Sequence, residues 1–172
     1  DWSSDVCSSD LEDALDRKSP LLAITTGGRL AQVAAQRHIP ALTYQFSGQP
    51  RCALGYGFVA LVVVLERAGV LPDVEDQFAA AVGAMEALAC ELEPVVPTEH
   101  NPAKQLAAQL HGRIPVVYGA GVLTDVAVRW KGQFNENSKN WAFFEALPEA
   151  DHNAVEGYQQ PHALRDRLSA IF

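Results

Sequence analysis

From Arg129 to His152 the sequence gathers groups able to move protons or steady charge: Arg129, Lys131, Glu136, Lys139, Glu149, Asp151 and His152, with Asn135 and Asn137 among them and Asn153 next in the chain. Much of this cluster flanks aromatic residues, Trp130 and Phe134 foremost. A carboxylate partly desolvated by an aromatic neighbour has its charged form disfavoured, so its pKa climbs toward the working pH and it becomes a usable general base. Glu136 fits that role best. It equally fits a solvated Glu at a helix C-terminus, which composition alone favours. His152 lies in a polar stretch, where a histidine titrating near neutrality serves as a proton carrier or as an ordinary surface group.

The elements that must position these groups follow from periodicity. Leu123, Val126, Trp130 and Phe134 recur at intervals of three and four, which predicts a helix running toward Asn135-Glu136-Asn137. Upstream, residues 114–118 form an apolar run ending at Gly119 and Gly121, a strand and its turn, and residues 103–110 predict a shorter helix. Downstream, residues 147–161 dissolve into Pro, Asp, His, Asn and Gly, the composition of a long loop. Leu168, Ala170, Ile171 and Phe172 read as the opening of a buried strand, so the chain is expected to stop inside a domain.

Earlier in the chain, residues 21–25 predict a strand, Thr26-Gly27-Gly28 a turn, Leu30, Val33 and Ala34 a helix, and residues 41–46 a second strand. Strand, helix and strand make one βαβ unit of a parallel sheet. The glycine pair lacks the third glycine of a dinucleotide fingerprint and is expected to serve tight turn packing. Residues 52–65 read as a buried core helix, too short and too Gly-interrupted to cross a bilayer. Asp73 can cap a long helix with Val74, Phe78, Val82, Met85, Leu88 or Ala89, and Leu92 on one face, ended by Pro94 and Pro97.

Composition excludes several classes. The chain has 172 residues, 48% apolar, enough to bury a sizeable core. A net charge of −8 with no Lys/Arg run lacks the footprint of a nucleic-acid binder. Cys7, Cys52 and Cys90 show no paired spacing, which predicts reduced thiols and a cytoplasmic protein. The first eleven residues, DWSSDVCSSDL, resemble a translated sequencing adapter and are expected to be disordered and without a role.

Two segments, RWKGQFNENSKNWAF and LPEADHNAVEGY, closely resemble the signature stretches of the bifunctional phosphoglucose/phosphomannose isomerases. ITTGGRLAQVA, QPRCALGYGF and NPAKQLAAQLHGRIPVVYG resemble further segments of that family in the same order. The resemblance implies an α/β fold of the sugar isomerase (SIS) type, a parallel sheet flanked by helices in three layers. It implies the end of a first SIS domain over residues 12–50, connecting helices over 51–97 and most of a second, truncated domain over 98–172.

The implied activity is aldose–ketose isomerisation, interconverting glucose 6-phosphate and mannose 6-phosphate with fructose 6-phosphate through a cis-enediol, with no cofactor and no metal. By the same resemblance Glu136 corresponds to the base that moves the proton between C1 and C2, His152 to the histidine that assists ring opening, and Arg51 to an arginine that steadies the enediol oxygens. The phosphate-binding loop of the family is expected before residue 12 and a further site lysine beyond Phe172, so the 172 residues alone are expected to be inactive. The family also implies a homodimer in which the His152 loop reaches the neighbouring site, a phosphosugar as the small-molecule partner, and neither nucleic acid nor membrane. Thr25 and Thr26 stand where the family more often has Ser before the glycine pair. The competing expectation is a non-catalytic SIS module that binds a sugar phosphate, for which a base and a ring-opening histidine together have no use.

Overall fold

A computed structural model describes residues 10–172. The adapter reading therefore falls outside the described residues over 1–9; Asp10 and Leu11 are described, and residues 10–16 are helical. The chain forms two compact units, residues 1–75 and 76–172, taken separately below.

The first unit contains the expected βαβ motif. Strand β1 (Ala23–Thr25) leads through a glycine turn into helix α1 (Gly28–Gln36) and on to strand β2 (Ala41–Thr43), which pairs parallel to β1 with Ala23 opposite Ala41. The turn explains the glycine pair: Gly27 and Gly28 have φ of 132° and 65°, a region that side chains with a Cβ seldom enter. Thr25 fixes it from the side, its Oγ1 donating to the Gly27 carbonyl at 2.9 Å and accepting from the Gly27 N–H at 3.1 Å. Ala23 and Ala34 are buried where helix meets strands.

Helix α2 (Leu54–Arg67) is present but is not the buried core helix expected from its sequence. None of its residues is buried, and Leu54, Tyr56, Phe58, Val59, Leu61 and Val63 are exposed. Apolar composition reports that a helix needs covering, and the covering has to come from another element; at its first turn Tyr56 packs against Tyr44 and Phe46.

The second unit opens with helix α3 (Glu75–Glu91), whose first turn is met by the Asp73 carboxylate at 2.9 Å from the Glu75 N–H, the expected cap. Its apolar residues Val82, Met85 and Leu88 are likewise exposed. The proline-marked stretch after it is held firmly by helix α4 (Pro102–Leu110). Lys104 Nζ donates to the carbonyls of Pro94 and Val96, both at 2.7 Å, and Gln105 Nε2 to those of Thr98 and Glu99, both at 3.0 Å. Asn101, 1% exposed, caps α4 by accepting from the Lys104 N–H at 3.0 Å while its amide donates to the Glu93 carbonyl at 3.2 Å.

The sheet of this unit is three parallel strands in the order β4-β3-β5, with β3 (Ile114–Ala120) in the middle. Val116 pairs with Phe143 of β4 (Phe143–Leu147), and Val117 with Ile171 of β5 (Leu168–Ile171). A central strand buried on both faces reads as a continuous apolar run, and Pro115, Val116 and Val117 are all buried. Strand β4, whose sequence shows no alternation, was not anticipated; β5 is the strand expected at residues 168–172, half-buried rather than buried. The loop expected over 147–161 contains two single-turn helices, Glu149–His152 and Ala154–Gly157.

Helix α5 (Leu123–Gln133) joins β3 to β4, but the stripe that predicts it is not the face that packs. Leu123, Val126 and Trp130 are exposed, whereas Ala127 is buried. The cause is close approach. A Cβ on Gly119 would lie 2.3 Å from the Leu123 carbonyl oxygen, so helix and strand end meet through small groups, with Thr124 Oγ1 donating to the Gly119 carbonyl at 3.2 Å.

Candidate active site

Glu136 stands where α5 ends. The last helical turn widens to π-type geometry over Phe134–Ser138, and Lys139, in left-handed conformation at φ 56°, turns the chain away toward β4. Such widened turns recur at functional sites because they displace a side chain from the regular helical spiral. Four bonds give the turn its shape. Ser138 Oγ donates to the Phe134 carbonyl at 2.6 Å and Asn140 N–H to the same oxygen at 3.2 Å; Lys139 Nζ donates to the Glu136 carbonyl at 2.7 Å; Asn135 Oδ1 accepts from the Ala142 N–H at 3.1 Å. The ring edge of Trp130 meets Phe134 at 6.1 Å, yet Glu136 itself is exposed rather than desolvated against these rings.

His152 lies at the end of the single-turn helix after β4, and it is exposed. Its loop is moored to the sheet by a hydrogen bond between the hydroxyls of Tyr118, on β3, and Tyr158. Burial first, then that bond and the electrostatic influence of Tyr158, Glu145 and Asp151, push the Tyr118 hydroxyl well above the ordinary tyrosine range.

Glu136 and His152 therefore flank β4 from opposite ends: the Glu136 turn precedes Phe143, and the His152 helix follows Leu147. Five extended residues span about 16 Å.

Arg51 belongs to the first unit, in a short turn (Pro50–Cys52) just before α2. Tyr56, on the first turn of α2, stacks on Tyr44 with ring centroids 5.1 Å apart and meets Phe46 edge-on at 5.5 Å, closing the loop that carries Arg51. Arg51 is half-buried. Cys52 beside it, like Cys90, is a free and exposed thiol.

The groups that sequence reasoning missed are those that hold the site. Asn135 and Lys139 lie in the polar cluster with no hint of their bonds, although Asn, Ser and Lys just after a helix are the types that satisfy its last carbonyls. The Tyr118–Tyr158 contact spans forty residues and leaves no local trace. Among the described residues no group of three His, Cys, Asp or Glu side chains is arranged to hold a metal ion, and no helix is long and apolar enough to cross a membrane.

A parallel β4-β3-β5 sheet with its crossover helix, and polar residues gathered at the ends of its elements, defines an α/β protein. Residues 99–172 match the family described as the bacterial phospho-glucose isomerase C-terminal SIS domain. The chain is 38% identical over 151 residues to a bifunctional phosphoglucose/phosphomannose isomerase of Caldicellulosiruptor bescii, covering 87% of this chain and 44% of that protein. With the like-named protein of Aquifex aeolicus it shares 37% over 161 residues, 93% of this chain and 46% of the relative. It is also 30% identical over 139 residues to a D-glucosamine-6-phosphate 4-epimerase of Sulfolobus acidocaldarius, 80% of this chain and 42% of that protein. The chain belongs to the bifunctional phosphoglucose/phosphomannose isomerase family, and it spans less than half the length of these relatives.

Proposed function

We propose that this chain is part of a cytoplasmic aldose–ketose isomerase that interconverts glucose 6-phosphate and mannose 6-phosphate with fructose 6-phosphate, Glu136 being the base. The observation that carries the reading is the Glu136 turn, a π-type break at a helix end whose shape is set by Asn135, Ser138, Lys139 and Asn140 in a chain of this family. In the open-chain aldose Glu136 takes the proton from C2 and the electron pair of that bond forms the C1–C2 double bond, leaving negative charge on O1; the O2 hydroxyl proton passes to O1, and the Glu136 carboxyl returns its proton to C1 as C2=O forms, giving the ketose. Both aldoses converge on one enediol, which is why one base serves two substrates. Arg51, a fixed positive charge, steadies the oxygens on which negative charge grows, and His152 moves the proton that opens the ring. The separation of Glu136 and His152 along β4 fits a site shared between two subunits, each supplying the histidine for the other.

The test is Glu136→Gln in the protein at the full length of its relatives. The amide keeps the shape and loses the basicity, so turnover of both aldose phosphates falls together, by about two to four orders of magnitude, with KM little changed. Exchange of the C2 proton with solvent deuterium falls in step. Loss of one activity with the other intact removes Glu136 as the common base and turns attention to Glu149. The exchange also separates the rivals: a C4 epimerisation, the reaction in the name of the Sulfolobus relative, leaves the C2 proton in place, and a sugar-phosphate sensor binds without exchanging it.

A further inference from the structure

Reading Glu136 as the base raises the question of what aims an exposed carboxylate. Its backbone neighbour Asn135 uses its side-chain oxygen to accept the Ala142 N–H at 3.1 Å, and Ala142, at the head of β4, is 0% exposed. Water cannot reach that N–H, so the bond is obligatory: without it a buried donor is stranded and the turn must move to find another acceptor. The remaining bonds differ in reach. Ser138 and Lys139 return to Phe134 and Glu136 within the turn, and Asn140 ties itself to the Arg113 carbonyl at 3.0 Å, at the start of β3. Asn135 thus connects the residue next to Glu136 with the sheet itself, and a shift of its peptide is a shift of the carboxylate.

We infer that Asn135 is a positioning residue for Glu136, locking the π-type turn to the head of β4 so that the carboxylate faces the substrate carbon. This rests on Glu136 being the base. Displacing a catalytic group by about 1 Å costs on the order of a hundredfold in rate without loss of substrate contacts, so the signature is a fall in kcat at constant KM.

The experiment compares, in the protein at the full length of its relatives, Asn135→Leu, Asn135→Gln, Glu136→Gln and the combination of each Asn135 change with Glu136→Gln. Leu keeps the branched four-atom skeleton of Asn, with bulkier methyl groups, and removes the acceptor. Gln keeps the acceptor on a longer arm, so it satisfies the Ala142 N–H with the turn displaced and carries the test if the Leu variant does not fold. Each Asn135 variant is expected to lose roughly ten- to a hundredfold in kcat with KM within about twofold, and to add nothing to the loss of Glu136→Gln, since a residue acting through Glu136 has no base left to position. Losses that multiply in the combined variants, or folded Asn135 variants with wild-type kcat, overturn the positioning role while leaving the base intact. Near-normal turnover in Glu136→Gln alone overturns the base and the positioning role with it.

Discussion

At the scale of single residues, the chemistry was more legible than its support. Glu136 stands out because a carboxylate close to Trp130 and Phe134 is an unusual neighbour, yet the structure leaves it exposed, so aromatic proximity in sequence was a guide to place and not to burial. Asn135 and Tyr158 carry no such mark, since a hydrogen bond to a backbone amide or to a residue forty positions away depends on how the chain folds back. Tyr118 yields a prediction of its own. Its folded-state pKa is raised above the ordinary value of 10.0, so its contribution to stability is fully present below pH about 10 and is lost as the pH rises through its folded-state value, because only the unfolded chain ionises it readily. Chemical denaturation followed across the alkaline range should show stability falling above pH about 10, and Tyr118→Phe should flatten that fall. An unchanged slope would show that other groups govern it.

At the scale of elements, the 3.6-residue period and the cap and turn residues found α1, α3, α4 and α5, and the apolar runs found β1, β2, β3 and β5. Strand β4 escaped because its sequence, Phe-Phe-Glu-Ala-Leu, fits neither alternation nor a clean apolar run; pairing with β3 makes it a strand. Facing was harder to read than existence, as α5 shows by packing through Ala127 and Gly119 while its large residues stay exposed. Substitutions at two positions test how these elements are held. Gly119→Ala drives a methyl into the Leu123 backbone and should destabilise the second unit by about 1–3 kcal/mol, read as a lower unfolding midpoint. Asn101→Ala removes the α4 cap and the amide that reaches the Glu93 carbonyl, a loss of about 1–2 kcal/mol, whereas Asn101→Asp keeps the capping oxygen and should recover part of it.

At the scale of the whole molecule, the placing of Glu136 and His152 at opposite ends of β4 gives the shared-site reading a direct test. Mixing full-length Glu136→Gln with full-length His152→Ala, each inactive alone, should restore about a quarter of wild-type activity once subunits exchange: about half the dimers are then hybrids, each with one intact site. Demonstrated exchange with no activity would mean each chain supplies its own histidine. The strand order β4-β3-β5 also bears on how the molecule is made. The central strand precedes both of its neighbours in the chain, and Val116 waits for Phe143 while Val117 waits for Ile171. Contacts between residues so far apart in sequence are slow to form, because the intervening chain must first be closed into loops. Until then the apolar run Ile114–Ala120 has two unpaired edges, the condition under which strands from different chains join. Newly made protein is thus most vulnerable to aggregation at the very segment that later forms the centre of its sheet.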